Sequence, residues 1–143
     1  MSYRNLKPVE AKKLLDANEA WSYVDVRSVE EFQGGHPPLA FNVPLATRGA
    51  AGMAPNPEFA AVMQRSFAKD AKLVVGCASG GRSARACEML AAAGFTSLAN
   101  MECGFLGARD ESGRTTPGWQ PLGLPVESAA PKERTYEALR ARK

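Results

Sequence analysis

The sequence predicts an α/β sandwich, with helices on both faces of a mostly parallel sheet. Three observations predict it. Short β-forming runs alternate along the chain with stretches of helical periodicity. The run Leu73-Val74-Val75 has no polar alternation, as in strands buried on both faces. The chain has 143 residues, 45% apolar and 23% charged, which suits one domain around a single core.

The elements follow in order. Residues 8–17 read as a helix, with Pro8 in the first turn and Val9, Leu14 and Leu15 as a partial apolar stripe. Residues 22–26 are rich in β-formers and read as a strand. Ser28 followed three residues later by Glu31 matches a capping box, so a short helix starts there and ends at Gly34 and Gly35. Residues 41–45 read as a brief strand that Pro44 confines to an edge or an end. Residues 47–56, small and glycine-containing, read as a surface loop. Residues 57–68 form the next helix, with Phe59, Val62, Met63 and Phe67 on one side.

Leu73 to Val75 is the buried strand. Residues 82–93 are helical, with Cys87, Leu90 and Ala91 at core spacing and Gly94 just past the end. Residues 97–100 give a further short strand, and 109–120 a polar loop with two turn-forming clusters. Residues 122–126 return to the body. The charged stretch beyond Pro131 reads as either a loosely docked helix or a frayed tail. The expected organisation is one domain over 5–127 and a charged, possibly helical tail over 128–143.

Composition narrows the function classes. A net charge of +3 without a clustered basic face does not suggest nucleic-acid binding. No apolar run approaches the roughly 20 residues needed to cross a bilayer, so no membrane role is expected. The first residues lack the apolar stretch of a secretory signal, and the expected location is cytoplasmic. The three cysteines, an odd number, are not a disulfide framework, and with His36 as the only histidine a metal site is not expected.

Cys77 stands apart. It ends an apolar strand and is followed by Ala78-Ser79-Gly80-Gly81 and then a helix opening with Arg82 and Ser83. This puts a thiol at the carboxyl end of a strand facing the amino end of a helix, where free N–H groups and the helix dipole stabilise anions. The thiolate is the nucleophilic form of cysteine, and a free thiol is only about 3% ionised at pH 7. Gly80 and Gly81 let a loop curl round one atom with its N–H groups inward, Ser79 and Ser83 add hydroxyls, and Arg82 adds positive charge at the rim.

Two chemistries use such a loop: phosphoryl transfer to cysteine, and transfer of a sulfane sulfur held as a persulfide. Four residues separate Cys77 from Arg82. A cysteine phosphatase loop places its arginine one residue later, where this chain has Ser83, and often has a histidine where this chain has Gly76. The spacing favours sulfur transfer, with phosphatase or arsenate-reductase-like activity as a third reading. Cys87 reads as a core residue. Cys103 reads as either structural or a resolving thiol. His36 reads as a turn histidine bonding backbone carbonyls, and Trp119 as core or pocket wall. Arg85 reads equally as an attractor of anionic donors and as a solvated helix charge.

These pieces resemble the rhodanese family in its single-domain form. The matching segments are Tyr23-Val-Asp-Val-Arg27 with Glu30-Glu31-Phe32 and Gly35-His36, then Phe41-Asn-Val-Pro44, then Val74-Val-Gly-Cys77-Ala-Ser-Gly-Gly-Arg-Ser83, then Leu90 with Gly94-Phe95 and 98–104, and finally Leu122-Gly-Leu-Pro-Val126. The resemblance implies a rhodanese-like three-layer sandwich with a parallel sheet of about five strands. It implies that sulfur passes from a small donor such as thiosulfate onto Cys77 and then to cyanide, a thiol or a partner protein, without a metal or organic cofactor. Residues 78–83 are then the anion-binding loop, and Asp25 and Arg27 support it from the neighbouring strand end. The alternative within the family is a persulfide carrier or interaction module with little turnover of its own. Leu39, where the family often has glycine, implies a different local turn, and Cys103-Gly104 stands where it usually has two glycines.

Overall fold

A computed structural model describes residues 3–49, 52–128 and 132–142. Ala50 and Ala51 of the expected loop, and Ala129, Ala130, Pro131 and Lys143 of the expected tail, lie outside the described residues. In chain order the elements are β1 (Arg4–Leu6), α1 (Pro8–Asp16), β2 (Trp21–Asp25), α2 (Val29–Gln33), β3 (Phe41–Asn42), β4 (Ala46–Gly49), β5 (Gly52–Pro55), α3 (Phe59–Ser66), β6 (Lys72–Gly76), α4 (Gly81–Ala92), β7 (Ser97–Met101), β8 (Gly107–Arg109), β9 (Thr115–Pro117), a 3₁₀ turn (Lys132–Arg134) and α5 (Tyr136–Arg140).

The main sheet has five strands in the order β1-β7-β6-β2-β3, every neighbouring pair parallel. Alternate residues of its central strands face opposite ways. Val24, Leu73 and Val75 join Val62 and Met63 of α3, Ala86, Cys87 and Leu90 of α4, and Leu139 of α5 in one buried cluster. Tyr23 and Val74 join Ala11 of α1, Phe32 of α2 and Trp119 in the other. The three layers follow from that alternation, and the β-run without polar residues is the strand with helices on both sides.

The capping box forms as the sequence predicts. The Ser28 hydroxyl accepts from the Glu31 N–H at 3.2 Å, and Glu31 Oε1 accepts from the Ser28 N–H at 3.1 Å. Gly94, at φ +103°, follows the end of α4. Trp119 is buried in the core and donates its indole N–H to the Pro125 carbonyl at 2.6 Å.

Several expectations differ. Across the expected surface loop 47–56, β4 and β5 pair antiparallel, and β9, within the expected polar loop 109–120, pairs antiparallel with β8, which ends at the start of that loop. Neither hairpin carries the apolar alternation that marks a half-buried strand, so periodicity gives no signal for them. β1 was not anticipated. It is an edge strand of only three residues, and its register is set by β7 far along the chain. Of the two readings of the charged stretch past Pro131, the structure has the docked helix, with Leu139 completely buried and Arg134 Nη1 donating to the Ala40 carbonyl at 3.0 Å.

Leu39 adopts φ +67° and is 72% exposed. The turn there has a left-handed residue, the conformation that favours glycine, and the leucine accepts the strain.

Candidate active site

The carboxyl ends of β6, β2 and β7 converge on one edge of the sheet, the edge at which parallel α/β folds bind ligands. Cys77 follows β6 directly and is buried. Its Sγ accepts from the Gly80 N–H at 3.1 Å and from the Ser83 N–H at 3.3 Å. The Ser83 hydroxyl lies 3.4 Å away. The thiol therefore sits at the amino end of α4, a helix of twelve residues, with two backbone dipoles aimed at it. Gly80 enables the curl, since φ of +106° at this position is closed to most side chains. Gly81 carries no such constraint, because a Cβ there would meet nothing within 4 Å. Its place in the loop follows from opening the helix.

The segment after β7 closes the loop from behind. Phe105 N–H donates to the Cys77 carbonyl at 2.8 Å, and Leu106 N–H to the Ala78 carbonyl at 2.9 Å. Gly104, at φ +59°, passes so close that a Cβ would lie 2.4 Å from the Cys77 carbonyl oxygen. Gly76 is equally constrained, because a Cβ there would overlap the Tyr23 hydroxyl at 1.8 Å.

Asp25 and Arg27 form a buried ion pair. Asp25 Oδ2 accepts from Arg27 Nη2 at 2.7 Å and Oδ1 from Arg27 Nε at 3.0 Å, and Nη2 also donates to the Gly35 carbonyl at 2.6 Å. The guanidinium lies over the Phe105 ring, 4.4 Å from its centroid. Because Phe105 holds the Cys77 carbonyl, this pair reaches the loop through one packed ring. Burial, the largest single influence, acts to lower the Arg27 pKa, but the Asp25 hydrogen bond together with the negative charge of Asp25 and its neighbours more than offsets it, so the net shift is upward.

Arg82 turns away from the loop. It makes two bonds to Glu31, Nη1 to Oε1 at 2.8 Å and Nη2 to Oε2 at 3.1 Å. The Arg82 bond outweighs burial and, with the Ser28 bonds, holds the Glu31 carboxyl down at about 2. The expected rim charge is thus neutralised by Glu31, which also caps its own helix. Arg85 and Ser79 are exposed, and Ala78 is half-buried. A cavity of about 850 Å³ opens beside Arg82, lined by Glu31, Arg85, Met89, Met53 and Pro55 among others. The β4–β5 hairpin forms one of its walls.

The remaining cysteines differ from Cys77. Burial pushes the Cys87 thiol up to about 12. Cys103, at φ +67°, is buried with its Sγ 4.0 Å from Lys7 Nζ. His36 sits between acceptors, Nδ1 at 2.6 Å from the Phe32 carbonyl and Nε2 at 3.0 Å from Glu127 Oε1, with its ring stacked on Phe32. No cluster of His, Cys, Asp or Glu suited to a metal ion occurs among the described residues, and no helix among them is long and apolar enough to cross a membrane.

Comparison with known proteins identifies a family for the chain. A model of the rhodanese-like domain matches residues 7–111. The chain belongs to the rhodanese-like family. Thiosulfate sulfurtransferase 16, chloroplastic, of Arabidopsis thaliana is 39% identical over 106 residues, which is 74% of this chain and 79% of that protein. Rhodanese-like domain-containing protein 15, chloroplastic, of the same plant is 35% identical over 120 residues, 84% of this chain, and the chain spans only 59% of that relative's length. Among solved rhodanese-like neighbours, Rv0390 from M. tuberculosis superposes with a TM-score of 0.74 at 30% identity, covering 89% of this chain and 99% of that one. A thiosulfate sulfurtransferase from Pseudomonas aeruginosa shares the fold at 19% identity, with a TM-score of 0.62, covering 93% of this chain and 21% of that one.

Asn100, which the sequence reading passed over, belongs to the rhodanese-like loop's surroundings. Its Oδ1 lies 2.5 Å from the Ser83 hydroxyl. The available signal is an amide near the end of a short strand, between Ala99 and Met101.

Proposed function

We infer that this rhodanese-like chain is a sulfurtransferase with Cys77 as its sulfur carrier. The observation that carries this reading is the pair of N–H groups, Gly80 and Ser83, converging on a buried Sγ at a helix amino end. The Cys77 thiolate attacks the outer sulfur of a donor such as thiosulfate. A Cys77–S bond forms, the donor's S–S bond breaks, and sulfite leaves with the electron pair. An acceptor (cyanide, a thiolate or a thiol of a partner protein) then attacks the outer sulfur and returns Cys77 as thiolate. No oxidant, metal or organic cofactor enters this balance. Residues 78–83 form the cradle, and Asp25 and Arg27 hold it through Phe105.

The phosphatase reading fares poorly, because Arg82 points to Glu31 and leaves no guanidinium in the loop for a phosphate. The carrier reading rests on the cavity beside the loop, where a partner's thiol-bearing segment would lie between Met53 and Met89. The C-terminal helix is a poor candidate for a partner-binding arm, since Leu139 is committed to the core. Two relatives' names carry a chloroplastic location, so a cytoplasmic location does not come with the family.

The test compares wild type with Cys77→Ser for thiocyanate formation from thiosulfate and cyanide, and weighs the protein after donor treatment. One added sulfur on Cys77, absent in the variant, supports the reading. No thiocyanate and no added sulfur with any of several donors overturns it. Slow thiocyanate formation with a readily formed persulfide selects the carrier form.

A further inference from the structure

The Ser83 hydroxyl has one proton and three places to put it. Asn100 Oδ1 lies at 2.5 Å, the Gly80 carbonyl at 3.2 Å and Cys77 Sγ at 3.4 Å. The shortest contact takes the proton, so in this arrangement Ser83 donates to Asn100 and offers the sulfur a lone pair. A thiol suits that arrangement, since its S–H donates to the Ser83 oxygen. A thiolate does not, because its charge then faces an oxygen lone pair rather than a proton.

The Asn100 amide is itself held. Its Nδ2 donates to Asn5 Oδ1 at 3.0 Å, so its oxygen is left facing Ser83. Asn5 and Asn100 are directly paired residues of β1 and β7. A line of four side chains thus runs from the exposed edge strand to the buried sulfur: Asn5, Asn100, Ser83, Cys77. Asn100 is buried among apolar strand residues, a place where an amide is retained only with its bonds made.

We propose that Asn100 is a positioning residue for Cys77: by accepting the Ser83 proton it withholds that hydroxyl from the sulfur anion, and Asn5 fixes Asn100 in the accepting orientation. The proposal rests on the reading of Cys77 as the nucleophile and adds residues that tune it. The sulfur anion then forms without a bond from the Ser83 hydroxyl, which stays committed to Asn100. This keeps the anion reactive, because a thiolate that is less stabilised is a better nucleophile.

The other charged and titratable groups around the sulfur are the Arg82–Glu31 pair on α4 and α2, the Asp25–Arg27 pair and Tyr23 at β2, Cys87 on α4, and Lys7, Glu102 and Cys103 beside β1 and β7. The substitutions at Asn100, Asn5 and Ser83 change none of them, and the replacement of Cys87 and Cys103 is common to every protein compared, the reference included.

The experiment measures alkylation of Cys77 by iodoacetamide across pH, in a Cys87→Ala, Cys103→Ala background that leaves one thiol. It needs no sulfur donor, so it can fail while sulfur transfer stands, and the reverse. Asn100→Ala frees the Ser83 proton for the anion, and the pH midpoint of alkylation falls by about one unit. The limiting rate at high pH falls with it, by roughly threefold per unit of midpoint. Asn5→Ala lets the Asn100 amide turn, and gives a smaller shift in the same direction. In a Ser83→Ala background neither substitution moves the midpoint. Asn5 is at the surface, so its variant carries the test if Asn100→Ala does not fold. Midpoints that stay at the wild-type value in the folded variants, that rise, or that shift equally without Ser83, overturn the proposal.

Discussion

Replacing Glu31 by glutamine separates two jobs of one carboxylate. Glutamine keeps an oxygen for the Ser28 cap but loses the charge that holds Arg82 at 2.8 and 3.1 Å. Taken whole, lowering a carboxyl from 4.5 to about 2 corresponds to about 3 kcal/mol. The two side chains are 30% and 34% exposed, and part of the lowering comes from Ser28, so screening leaves about 1 kcal/mol for the charge pair. The melting temperature should then fall by about 2–4 °C. The difference has a defined pH window. The folded-state carboxyl titrates lower than the unfolded one, so its contribution is present above about 4.5 and is lost as pH falls through about 2. Wild type and variant should converge in stability across that interval.

Freed Arg82 becomes available to an anionic donor. For an anion within reach of the guanidinium and screened as in bulk water, the attraction is on the order of 1 kcal/mol, roughly a fivefold lower KM. Steady-state assays with thiosulfate at low salt should show that fall, and added salt should shrink it. A KM that is unchanged at low salt, or that falls equally at high salt, refutes the placement of Arg82 as a held charge beside the sulfur.

Four further outcomes follow from packing. Gly104→Ala drives a Cβ to 2.4 Å from the Cys77 carbonyl at φ +59°, and should lower urea stability by about 3 kcal/mol or more and disturb alkylation of Cys77. Leu39→Gly removes a left-handed leucine whose side chain is mostly exposed, and should raise stability by about 1 kcal/mol in the same urea titration. Leu139→Ala leaves a cavity where α5 meets the core, and should cost about 2–4 kcal/mol, read by thermal melting. Cys87, with its thiol at about 12, should resist iodoacetamide at pH 8 in the native protein and react only in denaturant, as mapped by peptide mass.

The helix and sheet elements that build the site were legible where local chemistry decides them. The continuous apolar run before Cys77, the Ser28–Glu31 box and Gly94 each report a local requirement: burial on both faces, orphan N–H groups, a left-handed residue past a helix. The cysteine loop was legible for the same reason. What escaped was set by partners distant in sequence. β1 is defined by β7, and the two hairpins carry no apolar alternation and so give no period. Glu31 satisfies its own helix start, which conceals that it also binds Arg82 51 residues away. Gly80 and Gly81 look alike in sequence, and only the backbone angles show which of them the curl requires. The Asn100 amide is unremarkable until Ser83 and Asn5 are placed on either side of it.

The pairing of β1 with β7 has a consequence for synthesis. Asn5 and Asn100 are 95 residues apart. During translation the first strand leaves the ribosome long before the strand it pairs with exists, and long-range parallel pairing of this kind is slow. The first strand therefore waits without its hydrogen-bonding partner. Cys77 and its loop emerge during that wait, before Asn100 has been added. A nascent chain thus carries its thiol in a loop whose polar neighbours are still missing, and the surroundings of the sulfur become native only when the beginning of the chain closes against its later half.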